Sequence, residues 1–366
     1  MTVARRSRLP SPDPSAPAPV RTRTAPDLRP RIREGNTVMT LPVLVISDPL
    51  PARLTAELHA DFDVRHCRGG DRAALLAAVR DAEALVVRSA TTVDREVLDH
   101  APRLRVVARA GVGLDNVDVE AATRAGVMVV NAPVSNVTSV AELTVGLILS
   151  MFRHIPAASA SVRAGEWRRA DFQGSELSGK SVGILGFGRI GQLVAERLAP
   201  FEVELLTHDP VVSAEFAHAH GVSWLPLDDL VATADVLTVH VPRTPATVGL
   251  IGERELALAK PTMRLVNTAR GGIVDEAALA RALAEERIAG AALDVFATEP
   301  PVHSPLPHLD TVVCTPHIGA GTAEAQDRAA TTVLDAVRAV FLGIPVTGPA
   351  NPAVVARAAA KEAVAV

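Results

Sequence analysis

From Leu41 onward, short runs of apolar residues recur along this chain, and many are followed by a stretch with helical spacing. Residues 43–47, 84–89, 105–110 and 127–131 read as strands, with 52–59 as a helix after the first. A second set follows at 181–185, 203–208, 236–240, 264–267, 290–294 and 311–314, with a helix at 192–198. These runs lack the alternation of a half-solvated strand, and strands interleaved with helices imply parallel sheets joined by crossover helices. The pattern predicts an α/β fold of two doubly wound parallel sheets. Between the two sets, residues 140–154 form a helix that is apolar on nearly every face, through Leu143, Val145, Leu147, Ile148, Met151 and Phe152. Such a helix must be buried, either between domains or in a dimer interface. A last helix, 323–341, follows the second set.

The first 40 residues break this pattern. They hold seven prolines and eight arginines and almost no periodic apolar residues. A segment of that composition cannot bury enough surface to offset its ordering entropy, so residues 1–40 are expected to be disordered, and translation could equally begin at Met39. Arg5 and Arg6 are followed by no apolar segment, which argues against a secretory signal. The densest apolar run, 145–152, is too short to span a bilayer. A formal net charge of −4 points to neither a nucleic-acid nor an anionic-membrane partner. Cys67 and Cys314 are the two cysteines, with no metal-ligand spacing. No metal site, no disulfide framework and a cytoplasmic setting are expected.

The residues after the strand at 181–185 carry chemistry. Gly186-Phe187-Gly188-Arg189-Ile190-Gly191 sits between that strand and a helix, and Asp209 ends the next strand 18 residues after Gly191. This is the dinucleotide-binding arrangement. Gly186 permits the tight turn, Gly188 the approach of a pyrophosphate to the backbone, and Gly191 close helix–strand packing. The free N–H groups and dipole at the helix N-terminus favour phosphate. Asp209 would accept hydrogen bonds from ribose hydroxyls and would repel a 2′-phosphate, so NAD is expected rather than NADP; His208 could blunt the preference.

Three further stretches lie at predicted strand ends: 267–275 with Arg270, 292–300 with Glu299, and 314–320 with His317. In a doubly wound sheet, ligands bind beyond the carboxyl ends of the strands, so the three should converge on one crevice. Histidine titrates near neutrality, which makes His317 the natural acid/base. Glu299 would orient its ring, and Arg270 would bind a carboxylate or polarise a carbonyl through its planar fork.

Over residues 41–343 the chain resembles the D-isomer-specific 2-hydroxyacid dehydrogenase family, most closely its D-3-phosphoglycerate dehydrogenase branch. Besides the stretches above, Val87-Arg88-Ser89-Ala90-Thr91 is similar to the family's first substrate loop. The run from Arg109 through Gly111, Val112 and Gly113 to Asp118 is similar to its second, and Asn131-Ala132-Pro133 with Ala141-Glu142 is similar to its hinge and dimer helix. The resemblance implies catalytic roles for Arg270, Glu299 and His317. It implies a nicotinamide contact for Asp294, and further cofactor contacts at Arg189, Ile190, Val241, Thr268, Ala269, Gly319 and Ala320. Arg88, Ser89 and Arg109 would meet the substrate, and Gly111, Val112 and Gly113 would offer backbone N–H groups to its carboxylate.

Also implied are two similar domains: a discontinuous substrate domain, 41–138 with 317–346, and an NAD-binding domain, 139–316, with a frayed tail at 347–366. A homodimer through helix 140–154 is implied too. The expected reaction is hydride transfer between C2 of 3-phosphoglycerate and NAD. Hydroxypyruvate or glyoxylate reduction, or action on a phosphonate analogue, stays open, as does an NAD-sensing, co-repressor-like binding protein. Val112 stands where the branch often has a hydroxyl residue, which weakens the phosphoglycerate assignment. The chain stops at Val366 without the small regulatory domains frequent in that branch, so serine feedback is not expected.

Overall fold

The computed structural model describes residues 40–356. The stretch expected to be disordered, 1–40, lies outside them except for Thr40. The first sheet takes β1 (Val43–Ile46), β2 (Asp63–His66), β3 (Ala84–Val87), β4 (Val106–Arg109) and β5 (Met128–Asn131) in the order β2-β1-β3-β4-β5. Its crossovers carry α1 (Ala52–Leu58), α2 (Arg72–Ala78), α3 (Arg95–Asp99) and α4 (Val119–Ala125). Helices α5 (Val137–Phe152) and α6 (Ile155–Arg163) lead into the second sheet. That sheet is built from β6 (Ser181–Leu185), β7 (Glu204–His208), β8 (Ser223–Trp224), β9 (Val236–Val239), β10 (Arg264–Asn267), β11 (Gly290–Leu293) and β12 (Val312–Cys314), in the order β12-β11-β10-β9-β6-β7-β8. Helices α7 (Arg189–Leu198), α8 (Ala214–Ala219), α9 (Leu227–Thr233), α10 (Glu253–Leu258) and α11 (Glu276–Ala284) connect it, and α12 (Ala323–Leu342) crosses back to pack on β4 and β5.

Every strand pairing is parallel. The interior strands β1, β3, β6, β9 and β11 are buried along their whole length, as wholly apolar runs require. Two of the four edge strands, β2 and β8, escaped the hydrophobic pattern. The sequence Asp-Val-Arg-His of β2 is mostly exposed, and β8 is two residues long. Several helices that the pattern left unassigned carry a local signal instead, an acid at the N-cap. Asp71, Asp94 and Asp118 each accept a hydrogen bond from the first turn of α2, α3 and α4.

The predicted strands also ran too far. Residues 47, 88–89, 110, 240 and 294 were expected in strands but lie just beyond them, although the N–H groups of Ser47, Ala110, His240 and Asp294 still donate to carbonyls of neighbouring strands. They form the rim between the two lobes. The chain crosses that rim near 132–136 and again near 318–322. The crossings are tied together by Ser139 Oγ to Thr322 Oγ1 at 2.8 Å and by Arg328 Nε donating to the Ser135 carbonyl at 2.8 Å.

One expectation is met in part within the chain, and one needs correction. Helix α5 is not buried all round within the chain. Ala141, Thr144, Leu147, Ile148, Met151 and Phe152 face the second lobe's core, but Leu143, Val145 and Leu149 are only half-buried, and Glu142 and Gly146 are exposed. The helix thus buries one face in the second lobe and carries a second, half-buried apolar flank beside the exposed Glu142. The tail expected to fray from Thr347 is docked over its first part. The Ala350 N–H donates to Val129 O at 2.8 Å. The buried Asn351 accepts from Val129 N at 2.8 Å and donates to Val127 O at 2.9 Å. The side chain thus supplies the hydrogen bonds that the free edge of β5 would otherwise lack.

Asn351→Ala removes those partners from a buried strand edge. It should cost about 1–3 kcal/mol of unfolding free energy in urea titrations. An unchanged midpoint would mean that water replaces the side chain without loss.

Candidate active site

The turn after β6 is fixed by contact rather than by composition. Gly186 has φ +97°, and a Cβ there would stand 2.8 Å from the His240 carbonyl. A Cβ at Gly191 would meet Gly186 O at 2.2 Å. Gly188, at the N-cap of α7, has nothing within 4 Å of its Cβ position: the space above the helix N-terminus is open, as a phosphate cradle requires. The Asp209 carboxylate lies against this turn. It accepts from Phe187 N at 2.8 Å, and its other oxygen accepts from Val211 N and Val212 N at 2.8 and 3.2 Å.

The three later stretches converge. Glu299 Oε2 lies 2.8 Å from His317 Nδ1, while Glu299 Oε1 accepts from Phe296 N at 3.1 Å. This fixes the ring and leaves Nε2 for another partner. His317 sits at φ +53°, a left-handed conformation that a non-glycine residue adopts only under constraint. The constraint is Asp294, which is 1% exposed. Its Oδ1 accepts from Thr315 Oγ1 at 2.6 Å and Ile318 N at 2.8 Å, its Oδ2 from Gly319 N at 2.8 Å, and its carbonyl from His317 N at 2.9 Å. Arg270 is anchored by Nη1 donating to Ala269 O at 2.8 Å, and its loop by Asn267 Nδ2 donating to Arg270 O at 3.0 Å. The loop presses on the Glu299 stretch, since a Cβ at Gly271 would overlap Phe296 O. Thr144 of α5 reaches Thr268 with a 2.8 Å hydroxyl contact.

Two cavities meet at Arg270 and His317. One, of about 500 Å³, is lined by Gly188, Arg189, Ile190, Val241, Thr268, Ala269, Asp294, Gly319 and Ala320. Of the expected cofactor residues, Gly186, Gly191 and Asp209 do not line it; the two glycines act through packing, and Asp209 flanks the turn. The other cavity, of about 410 Å³, is lined by Arg88, Ser89, Arg109, Gly111, Val112 and Gly113 together with Glu299. Arg109 lies over Gly111, and its buried Nε has no partner. Burial, then the neighbouring Arg270 and Arg88, push its guanidinium below the usual arginine range, and Asp115 opposes them. Asn116 Nδ2 donates to Arg88 O and Asn131 Nδ2 to Val112 O, both at 2.6 Å, so asparagines hold both loops. Among the described residues no cluster of His, Cys, Asp or Glu could hold a metal.

Sequence reasoning missed several lining residues. Asp115, Asn136, His240, Arg243 and Gln326 all face one cavity or the other. Asp115 was in plain view inside the second loop motif, but nothing local marks its partner. His240, at the carboxyl end of β9, had been assigned to the strand.

Known proteins resemble this chain in sequence and in fold. Residues 145–319 match the family described as D-isomer specific 2-hydroxyacid dehydrogenase, NAD binding domain. The chain is 55% identical over 305 residues to D-3-phosphoglycerate dehydrogenase of Mycobacterium tuberculosis, covering 83% of this chain and 58% of that protein. It therefore spans little more than half the length of the curated relatives it matches. Among solved structures, a 2-hydroxyacid dehydrogenase from Ketogulonicigenium vulgare superposes with a TM-score of 0.75 at 32% identity, over 85% of this chain and 98% of that one. An NADPH-dependent glyoxylate/hydroxypyruvate reductase from Sinorhizobium meliloti gives a TM-score of 0.75 and 32% identity, over 85% and 97%.

His240 supplies a test of the site's dielectric. Its Nε2 meets Thr238 Oγ1 at 2.9 Å and its Nδ1 is buried without a partner. Burial pushes its pKa from 6.5 down to about 3. Unfolded chains take up this proton below about 6.5, while the native state refuses it until about 3. The folded protein should lose stability across that window as pH falls. Urea unfolding of wild type and His240→Asn from pH 7 to 4 should show the wild type losing more. A difference between the two that stays constant with pH would refute the neutral, desolvated state.

Proposed function

The chain belongs to the D-isomer-specific 2-hydroxyacid dehydrogenases, and from that premise we propose that it transfers a hydride between C2 of a D-2-hydroxy acid and NAD, with 3-phosphoglycerate and 3-phosphohydroxypyruvate as the substrate pair. The observation that carries the reaction is the His317–Glu299 contact at 2.8 Å beside Arg270, at the junction of the two cavities.

The residues present fit the cofactor. The open cradle at Gly188, the helix N-terminus and the Asp209 carboxylate suit a dinucleotide with an unmodified ribose, and the segment after Asp209 is Pro-Val-Val-Ser, without a cation for a 2′-phosphate. Bound NAD supplies the hydride acceptor. His317 Nε2 takes the proton of the 2-hydroxyl, and Glu299 at Nδ1 offsets the charge of the imidazolium formed. Arg270 takes the carboxylate and polarises the developing carbonyl. In the reverse direction His317 returns the proton.

The phosphate assignment is supported by charge. Arg88, Arg109 and Arg270 line one cavity, more guanidinium than a single carboxylate uses, and the buried Arg109 has an unpartnered Nε. The names of the relatives support the same pair. The lobe built on β1–β5 with α12 would be the substrate domain, and that on β6–β12 the NAD-binding domain. The half-buried apolar flank of α5, with Leu143, Val145 and Leu149, supports a homodimer through that helix. The free thiols of Cys67 and Cys314 suit a reducing cytoplasm, and the product would feed serine biosynthesis. The apolar Val112 in the substrate cavity favours the second reading, reduction of hydroxypyruvate or glyoxylate.

His317→Asn should lower turnover about 10²–10⁴-fold and leave NADH binding intact, measured by steady-state rates and fluorescence titration. A near-wild-type rate removes His317 from the chemistry.

An NADH-oxidation panel of 2-oxo acids separates the substrates. Phosphohydroxypyruvate should exceed hydroxypyruvate in kcat/KM, and Arg109→Leu should erase most of that ratio, about tenfold or more, as expected for loss of a charge-assisted contact. Equal values for the two acids in wild type would transfer the assignment to the unphosphorylated substrates.

A further inference from the structure

Arg270 already has an anion beside it. Its Nε reaches Asp115 Oδ2 at 3.4 Å, across 155 residues of sequence and between the two lobes: Asp115 lies on the loop between β4 and α4, Arg270 on the loop after β10. Gly113 records how close the approach is. A Cβ there would stand 2.4 Å from Arg270 Nη2 and 2.6 Å from Asp115 Oδ2, so the pair rests directly on the glycine backbone. Nη1 is committed to the Ala269 carbonyl at 2.8 Å. The Nε–Nη2 edge is therefore the side left for a planar anion, and Asp115 faces it. Asp115 lines both cavities.

We propose that Asp115 is a placeholder anion that holds the carboxylate-binding edge of Arg270 until the substrate carboxylate displaces it, and so sets how strong an anion must be to enter. This rests on the reading of Arg270 as the carboxylate site.

The geometry suits displacement rather than permanent pairing. The contact is single-point and long, and the side chains are 64% and 30% exposed. A solvated pair of that kind is weak, whereas a carboxylate that meets two parallel N–H groups of a guanidinium is held more strongly. Asp115 also offsets a cluster of positive charge. Arg88, Arg109 and Arg270 share one cavity with Glu299, which is engaged by His317, and Asp48 accepts from the Arg88 N–H at 2.5 Å, so Asp115 is the carboxylate left to face Arg270. A single-point carboxylate or a halide gains too little to replace Asp115. A 2-oxo acid, which offers a carboxylate and an adjacent oxygen, gains enough.

Removing the charge while keeping the shape makes the prediction. Asp115→Asn should tighten binding of oxalate, an unreactive two-carbon dicarboxylate, to the protein–NADH complex by about fivefold, from loss of one like charge near the site. Asp115→Glu, which keeps the charge, should stay within about twofold of wild type. KM for whichever 2-oxo acid the wild type reduces should fall in parallel in Asp115→Asn. An unchanged or weaker oxalate affinity in that variant overturns the proposal, as does failure of wild type and variant alike to bind oxalate. If the wild type reduces no 2-oxo acid, the dehydrogenase reading fails on its own, and the oxalate titration still decides the role of Asp115.

Discussion

One buried carboxylate holds the centre of this molecule together. Asp294 follows β11 directly and is almost wholly removed from water, a placement that costs heavily unless every lone pair finds a donor. The donors are Thr315 Oγ1, Ile318 N and Gly319 N, all from the segment after β12. Satisfying Asp294 therefore dictates the path of residues 315–319, and that path carries His317 into a left-handed conformation. The ring then lies where Glu299, five residues beyond Asp294, can reach it. An electrostatic requirement at a strand end is thus converted into the orientation of an imidazole. The family resemblance implies that this aspartate contacts the nicotinamide; in the structure both of its oxygens are engaged by the loop that bears His317.

The same logic extends outward. Parallel sheets place all their carboxyl ends on one side, and the two sheets meet there. Strands that the hydrophobic pattern extended by one or two residues stop short at this edge, because residues 47, 88–89, 110, 240 and 294 serve the rim. Ladder bonds from the Ser47, Ala110, His240 and Asp294 N–H groups continue into the rim, and the Asn116, Asn131 and Asn267 side chains donate to loop carbonyls beyond them, so its backbone is irregular yet hydrogen-bonded. The two chain crossings are joined by Ser139 and Thr322, and α5 touches the Arg270 loop through Thr144 and Thr268. The cleft is a set of stitched loops between rigid lobes.

What could be read from sequence divides along physical lines. Wholly apolar runs report burial on both faces, so β1, β3, β6 and β9 were legible, and so was the glycine turn at 186–191, where backbone conformation and close approach leave little choice of residue. Polar edge strands such as β2 carry no such mark, because one flank and much of each face are solvated. The docked tail was read as frayed because its anchor, Asn351, satisfies backbone groups of β5 more than 220 residues away. Asp115 and His240 were passed over for the same reason: the meaning of a charged or titratable side chain lies in what faces it, and here that partner comes from another lobe or from burial itself. Arg270, Glu299 and His317 were legible because each stands at the end of a strand whose direction and neighbours the topology already constrains.

Charge balance in the substrate cavity gives the last step. Three guanidiniums share a space of about 410 Å³, and burial together with Arg270 and Arg88 presses on the buried Arg109. Such a cluster is tolerable only with counter-charge, and three carboxylates supply it: Glu299, engaged by His317 and the Phe296 N–H; Asp48, which accepts from the Arg88 N–H; and Asp115, which holds Arg270 by a single long contact. Two of those acids are committed to other partners, and the third is held loosely enough to leave. The unmet positive charge belongs to Arg109, whose Nε is buried without a partner. A ligand carrying an anion at each end would satisfy Arg270 and Arg109 together, whereas one with a single carboxylate would leave Arg109 as it stands. On this ground the cavity suits the phosphorylated substrate proposed above better than a small monoanion, even though Val112 offers it no hydroxyl.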